Sequence, residues 1–151
     1  MIRQAILQDE PAVRACAEQA YARYIPILGK KPAPLLADFG AQIADGIIHV
    51  AANDDDNPLG FIVFYAVEDG MLLENVAVLP SAAGRGIGKS LITYCETTAQ
   101  QQGHACVKLY THEKMIENIA MYKRLGYQEI KRITEHGFQR VYFEKDLKSK
   151  T

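Results

Sequence analysis

The pattern of apolar and polar positions divides the chain into short, well-marked elements. Residues 2–6, IRQAI, alternate weakly and predict a first strand. Asp9 then offers an N-cap and Pro11 suits a first helical turn, so a helix is expected through about Tyr24. Its apolar stripe is Val13, Cys16, Ala17, Ala20, Tyr21 and Tyr24. Residues 25–40, IPILGKKPAPLLADFG, carry three prolines and an internal glycine, which predicts a loop leading into a short helix around Leu35–Ala44. GIIHVAA (46–52) and PLGFIVFYAVED (58–69) read as strands, joined by the polar turn NDDDN into a hairpin. A second turn at Glu68-Asp69-Gly70 leads into the strand MLLENVAVLP, so the centre of the chain is an antiparallel meander.

The following helix is expected to reach about Gln102, with Leu91, Ile92, Cys95 and Ala99 on one face and Gly103 as its stop. ACVKLYT (105–111) is the next strand. EKMIENIAMYKRLGY predicts a helix whose face carries Met115, Ile119, Tyr122 and Leu125, ended by Gly126. Two last strands, YQEIKRIT and FQRVYFEKDL, flank a hairpin turn at His136-Gly137, and the terminal KSKT reads as disordered. The order β-α-α-β-β-β-α-β-α-β-β implies an α+β fold in a single domain, residues 1–151. Its mixed, largely antiparallel sheet has six to seven strands and is flanked by about four helices.

Composition narrows the function classes. With 151 residues, 48% of them hydrophobic, the chain can bury a core without disulfide or metal staples. A net charge of −1 from 17 basic and 18 acidic residues gives no electrostatic case for nucleic acid or a membrane surface. No apolar run approaches a membrane span, and the N-terminus lacks a signal peptide's apolar region. Cys16, Cys95 and Cys106 form an odd, scattered set without a CxxC pair and read as buried thiols of a reducing compartment. The expected setting is the cytoplasm. His49, His104, His112 and His136 form no ligand set, and Asp54–Asp56 lies on a hairpin tip where solvated charge is the ordinary reading, so no metal is expected.

The strongest chemical signal is AGRGIGKS, residues 83–90, between a hydrophobic strand and a helix. Gly88, Lys89 and Ser90 match the end of a nucleotide-binding P-loop, but Ala83 replaces its first glycine. The next strand ends in Thr111-His112-Glu113 without the aspartate that supports Mg²⁺. A dinucleotide fingerprint fails because Lys89 stands where the third glycine belongs. A ligand-free tight turn would favour glycines as well, so the motif alone does not decide. Glycines at 84, 86 and 88 let successive backbone N–H groups face one anion, the helix start adds positive potential and Lys89 a formal charge. A pyrophosphate is the natural guest.

LLENVAVLPSAAGRGIGKSLI resembles the signature of the GNAT family of N-acetyltransferases, and NIAMYKRLGY resembles that family's second motif at the right distance. The resemblance covers essentially the whole chain and implies an acyl-CoA N-acyltransferase-like fold. It implies acetyl-CoA as cosubstrate, held by Val76, Ala77, Val78, Gly84, Arg85, Gly86, Ile87, Gly88, Lys89 and Ser90. Ala83 departs from the family's Gln or Arg, leaving Arg85 or backbone to compensate.

Acetyl transfer to an amine needs a base for the ammonium proton, a donor for the oxyanion and a proton for the leaving thiolate. From the resemblance, Tyr122 is the candidate general acid beside the sulfur, although it also fits a core aromatic. Asn118, one turn earlier, is a candidate contact to the cofactor arm or a solvated helix residue. A backbone N–H near Val78 is implied as the oxyanion donor. Alternation in LLENVAV places Glu74 with Leu72, Val76 and Val78 on one sheet face, making it the candidate base, directly or through water. Tyr21, Tyr24, Asp38 and Phe39 are candidates to line the acceptor pocket, and His112 to touch substrate. The expected activity is acetyl transfer by direct attack in a ternary complex on a primary amine, either a small molecule or a peptide. A non-catalytic acyl-CoA-binding domain is the alternative, a P-loop hydrolase is a more distant one, and a homodimer stays open.

Overall fold

The structure is a computed structural model that describes residues 1–135 and 137–147, with the side chains of Ala33 and Phe138 left aside. In chain order it forms β1 (Ile2–Gln4), α1 (Glu10–Tyr21), α2 (Tyr24–Leu28), α3 (Phe39–Ala44), β2 (Ile48–Ala52), β3 (Pro58–Val67) and β4 (Gly70–Val78). Then come α4 (Ile87–Gln101), β5 (Cys106–His112), α5 (Ile116–Arg124), β6 (Gln128–Glu135) and β7 (Phe138–Asp146). The strands hydrogen-bond in the order β1-β2-β3-β4-β5-β7-β6 as one seven-stranded sheet. β4 and β5 run parallel, whereas β1–β2, β2–β3, β5–β7 and β6–β7 are antiparallel. This is the mixed α+β sheet expected, with five helices among the described residues rather than about four.

The extra helix is α2, inside the segment expected to be a loop. Pro26 falls in its first turn, where a missing N–H is harmless, and Gly29 at φ 73° closes it in the left-handed region. Asp9 precedes α1 as expected but its side chain does not cap that helix. The Arg3 guanidinium takes both of its oxygens, at 2.7 and 3.0 Å, and the Ile6 N–H donates to it at 2.9 Å. Arg3 holds the Asp9 carboxyl below its ordinary range. The expected turn residue His136 and the tail 148–151 lie outside the described residues.

Two compact units divide the chain. The first comprises Met1–Phe64 and Asn75–Cys95. In it, Phe61, Ile62, Val63 and Phe64 of β3 are all buried, because both faces of that strand are covered. Phe61 meets Phe39 of α3 edge-on at 5.5 Å, while Phe64 and His49 stack on the other face with Tyr94 of α4. The α1 stripe is buried as its spacing predicts, through Val13, Cys16, Ala17 and Tyr21. The α4 face is buried likewise, through Leu91, Ile92, Cys95 and Ala99.

The second unit comprises Tyr65–Glu74 and the chain from Glu96 onward. Val107, Leu109, Val141 and Phe143 are buried on β5 and β7, with Tyr122 of α5 packed beside both Phe143 and Tyr127. Buried Glu96 accepts from Tyr127 at 2.9 Å and from Lys145 at 3.1 Å, so its charge is compensated. The three cysteines are buried. Among the described residues no helix is long and apolar enough to cross a membrane, and no cluster is placed to hold a metal ion.

His49 generates a stability prediction. Burial pushes its imidazole below its ordinary value, and its Nδ1 has no hydrogen-bond partner among the described residues. The unfolded chain binds the proton more readily than the fold does. Stability contributed at this site is therefore complete above about pH 6.5 and falls as pH drops below it. Urea denaturation between pH 7.5 and 5.5 should show this decline, and His49→Gln should flatten it.

Candidate active site

In the first unit, the end of β4 is fixed from two sides. The Tyr21 hydroxyl, on the last residue of α1, lies 2.8 Å from Asn75 Oδ1 and 3.0 Å from the Val76 carbonyl, all buried. Asn75 is 4% exposed, and its Nδ2 is buried without a hydrogen-bond partner among the described residues. On the other side, Gly60 of β3 leaves no room for a side chain. A Cβ there would stand 2.8 Å from the Ala77 carbonyl oxygen and 3.3 Å from both Val78 Cγ2 and Ile87 Cγ2. Val76, Ala77, Val78 and the head of α4 are thus brought together.

After β4 the chain makes a 3-10 turn, Pro80–Ala82, and enters the glycine loop. Gly84 and Gly86 adopt φ 82° and 76°, a region that L side chains avoid, and a Cβ at either would meet nothing within 4 Å. The Ser90 N–H donates to the Gly86 carbonyl at 3.0 Å. The N–H groups of Ile87, Gly88 and Lys89 fall in the first turn of a 15-residue helix, where the helix supplies no acceptor. Arg85 and Lys89 are exposed beside them. Open space, donor groups and two cations make a cradle for an anion, and they fit a pyrophosphate.

The second unit holds the acid–base candidates. Register places Leu72 beside Lys108, and Leu73 beside Leu109, which itself pairs with Phe143. Glu74 shares a face with Leu72, whereas Tyr122 packs on the Phe143 face, 6.1 Å between rings. The candidate base and acid therefore approach the sheet from opposite sides. Glu74 is half-buried, and its neighbours are not purely apolar as expected: the Tyr65 hydroxyl donates to its Oε1 at 2.8 Å. Tyr122 is buried, and burial drives its phenol well above the ordinary tyrosine value. The hydroxyl is therefore neutral and carries a proton at any working pH, as a general acid must.

Asn118 is half-buried, and its Nδ2 donates to the Met115 thioether at 3.8 Å, which Thr111 also reaches at 3.4 Å. His112 is half-buried, and its Nδ1 accepts the Lys114 N–H at 3.1 Å, so that nitrogen serves the turn before α5. The candidate acceptor-lining residues have structural work. Tyr24 is buried under Arg23, Asp38 caps α3 by accepting the Ala41 N–H at 3.0 Å, and Phe39 is buried on Phe61. Sequence reasoning does not single out Tyr65 or Asn75. Tyr65 lies inside an unbroken apolar block, 61–67, and Asn75 looks like an ordinary polar strand residue until the partner on α1 is seen.

With this geometry in place, the family model described as the acetyltransferase (GNAT) family matches residues 13–127. The chain belongs to that family. This GNAT acetyltransferase shares its fold with the PaiA N-acetyltransferase of Thermoplasma acidophilum in complex with coenzyme A, at TM-score 0.79 and 17% identity over 97% of this chain and 98% of that one. It also resembles Naa20 of Chaetomium thermophilum in complex with a bisubstrate analogue, at TM-score 0.73 and 17% identity over 98% and 87%. Nourseothricin acetyltransferase matches at TM-score 0.61 and 23% identity over 66% of this chain, which spans 64% of that protein. No curated protein matches the chain at a significant level. Family membership makes the protein an acetyl-CoA-dependent N-acetyltransferase, and the cradle at 84–90 fits the pyrophosphate of that cosubstrate.

The contact at Gly60 yields a prediction. Gly60→Ala forces a methyl group against the Ala77 carbonyl and should destabilise the fold by about 1–3 kcal/mol in chemical denaturation. Acetyl-CoA affinity should fall with it, since Val78 and Ile87 must also move.

Proposed function

We propose that the 151-residue chain acts as a single domain that transfers the acetyl group of acetyl-CoA to a primary amine, of a small molecule or a peptide, by direct attack in a ternary complex. The observation that carries this reading is the open, glycine-lined helix start at 84–90, with Arg85 and Lys89 exposed beside it. Acetyl-CoA supplies the activated thioester, and the chain supplies binding, orientation and proton transfer. The N–H groups from Gly86 to Lys89 and the two cations hold the pyrophosphate, and Ser90 adds a hydroxyl at the same helix start. Backbone of Val76, Ala77 and Val78 holds the pantetheine arm, with the Val78 N–H as donor to the developing oxyanion. Asn118 contacts the arm.

Glu74 accepts the proton of the attacking amine, directly or through a water. Tyr122 returns a proton to the leaving thiolate, a role its buried neutral hydroxyl supports. No nucleophilic residue of the chain is needed, because the amine itself attacks. The proposed setting is the cytoplasm, in keeping with a chain of three scattered cysteines and no CxxC pair.

Calorimetric titration tests the cofactor. Acetyl-CoA should bind with micromolar affinity while Mg²⁺-ATP stays silent; the reverse would return the loop to a nucleotide hydrolase. Lys89→Ala should weaken acetyl-CoA only severalfold, since backbone amides carry most of the grip. A panel of amines, read by thiol release, then separates an enzyme from an acyl-CoA-binding domain that lacks turnover. Ala83, where the family has Gln or Arg, gives that second reading its footing. Tyr122→Phe should lower kcat by about 10²- to 10⁴-fold with acetyl-CoA affinity nearly unchanged.

A further inference from the structure

Strand β3 changes character at Tyr65. The four residues before it are buried on both faces, whereas Tyr65 is half-buried and its ring carries a hydroxyl to the neighbouring strand. That hydroxyl donates to Glu74 Oε1 at 2.8 Å. A glutamate side chain has three torsions, and one short bond to a rigid phenol removes most of the freedom of its carboxylate before any substrate arrives. Burial, and then the bond to Glu74, push the Tyr65 phenol up to about 12. It therefore remains a donor throughout any working range and does not compete for the proton in transfer. Tyr110, the next aromatic on this face, is occupied differently, with the Arg140 guanidinium 4.4 Å above its ring.

We propose that Tyr65 is a positioning residue for acetyl transfer, its O–H fixing the Glu74 carboxylate in the orientation that receives the amine proton. This rests on the reading of Glu74 as base. The amine nitrogen gives one proton to the Glu74 carboxylate as its lone pair forms the C–N bond and the C–S bond breaks. Tyr122 protonates the departing sulfur, and both residues re-equilibrate with solvent. The Tyr65 proton stays on Tyr65 throughout, so its contribution is geometric.

Tyr65→Phe keeps the ring and removes only the hydroxyl, which leaves the packing in place. With any amine found to turn over, kcat should fall roughly tenfold, the energy of one hydrogen bond to a charged group. KM for the amine and the acetyl-CoA dissociation constant should stay at wild-type values. In a Glu74→Gln background, Tyr65→Phe should cause no further loss, because there is no carboxylate left to orient. Wild-type kcat in Tyr65→Phe, beside a crippled Glu74→Gln, overturns the positioning role and leaves the base intact. Equal losses from Tyr65→Phe in both backgrounds overturn it too. Full activity in Glu74→Gln overturns the base reading, and this proposal with it.

Discussion

Strand β4 is covered along most of its length, so each successive side chain must find its partner on one face or the other. Met71, Leu73, Asn75, Val76 and Ala77 are buried, and Leu72, Glu74 and Val78 are half-buried. An unmet buried donor or acceptor costs about 1–3 kcal/mol, and the side-chain oxygens of both polar residues of the strand have a partner. Glu74 is answered by Tyr65 on one face. Asn75, the next residue, turns to the other face and meets Tyr21 at the end of α1. The same hydroxyl reaches the Val76 carbonyl, so a single residue of α1 holds two consecutive positions of the strand. Gly60 admits the Ala77 carbonyl at a distance no side chain would allow.

A fixed strand in turn fixes the glycine loop. That loop leaves β4 through one short 3-10 turn, and its conformation depends on positive φ at Gly84 and Gly86. Because α4 begins at Ile87, the amides that its own ladder cannot use stand next to the two most permissive residues of the loop. These are the features that suit the loop to an anion: unspent donors, a helix dipole, no side chains in front and formal charge from Arg85 and Lys89 at the margin. The proposed guest is the pyrophosphate of acetyl-CoA, the cosubstrate of the family to which the chain belongs.

The acid–base groups obey a different logic. Tyr122 sits on the apolar face with Phe143 and Tyr127, and burial raises its phenol above the ordinary tyrosine value. Glu74 lies on the opposite, tyrosine-bearing face, where the Tyr65 hydroxyl donates to its carboxylate.

Much of the fold is legible in the sequence, because burial imposes a period that local composition records. The stripes of α1 and α4, the turn at NDDDN and the meander from β2 to β4 all emerge from spacing, and GRGIG marks the cradle without help from distant residues. Helix α2 is hidden, since Pro26 and Gly29 look like breakers when they in fact serve as first-turn and closing residues of one short helix. Asp9 looks like a cap because its strongest partner, Arg3, lies on a different element. Tyr65 and Asn75 are invisible for the same reason. By itself the sequence determined most of the elements, the family motifs and the place of the glycine loop, all of which depend on neighbours close in the chain. Only the tertiary structure decided which hydroxyl holds which polar side chain of β4, because those partners lie 9 and 54 residues away and no local pattern encodes them.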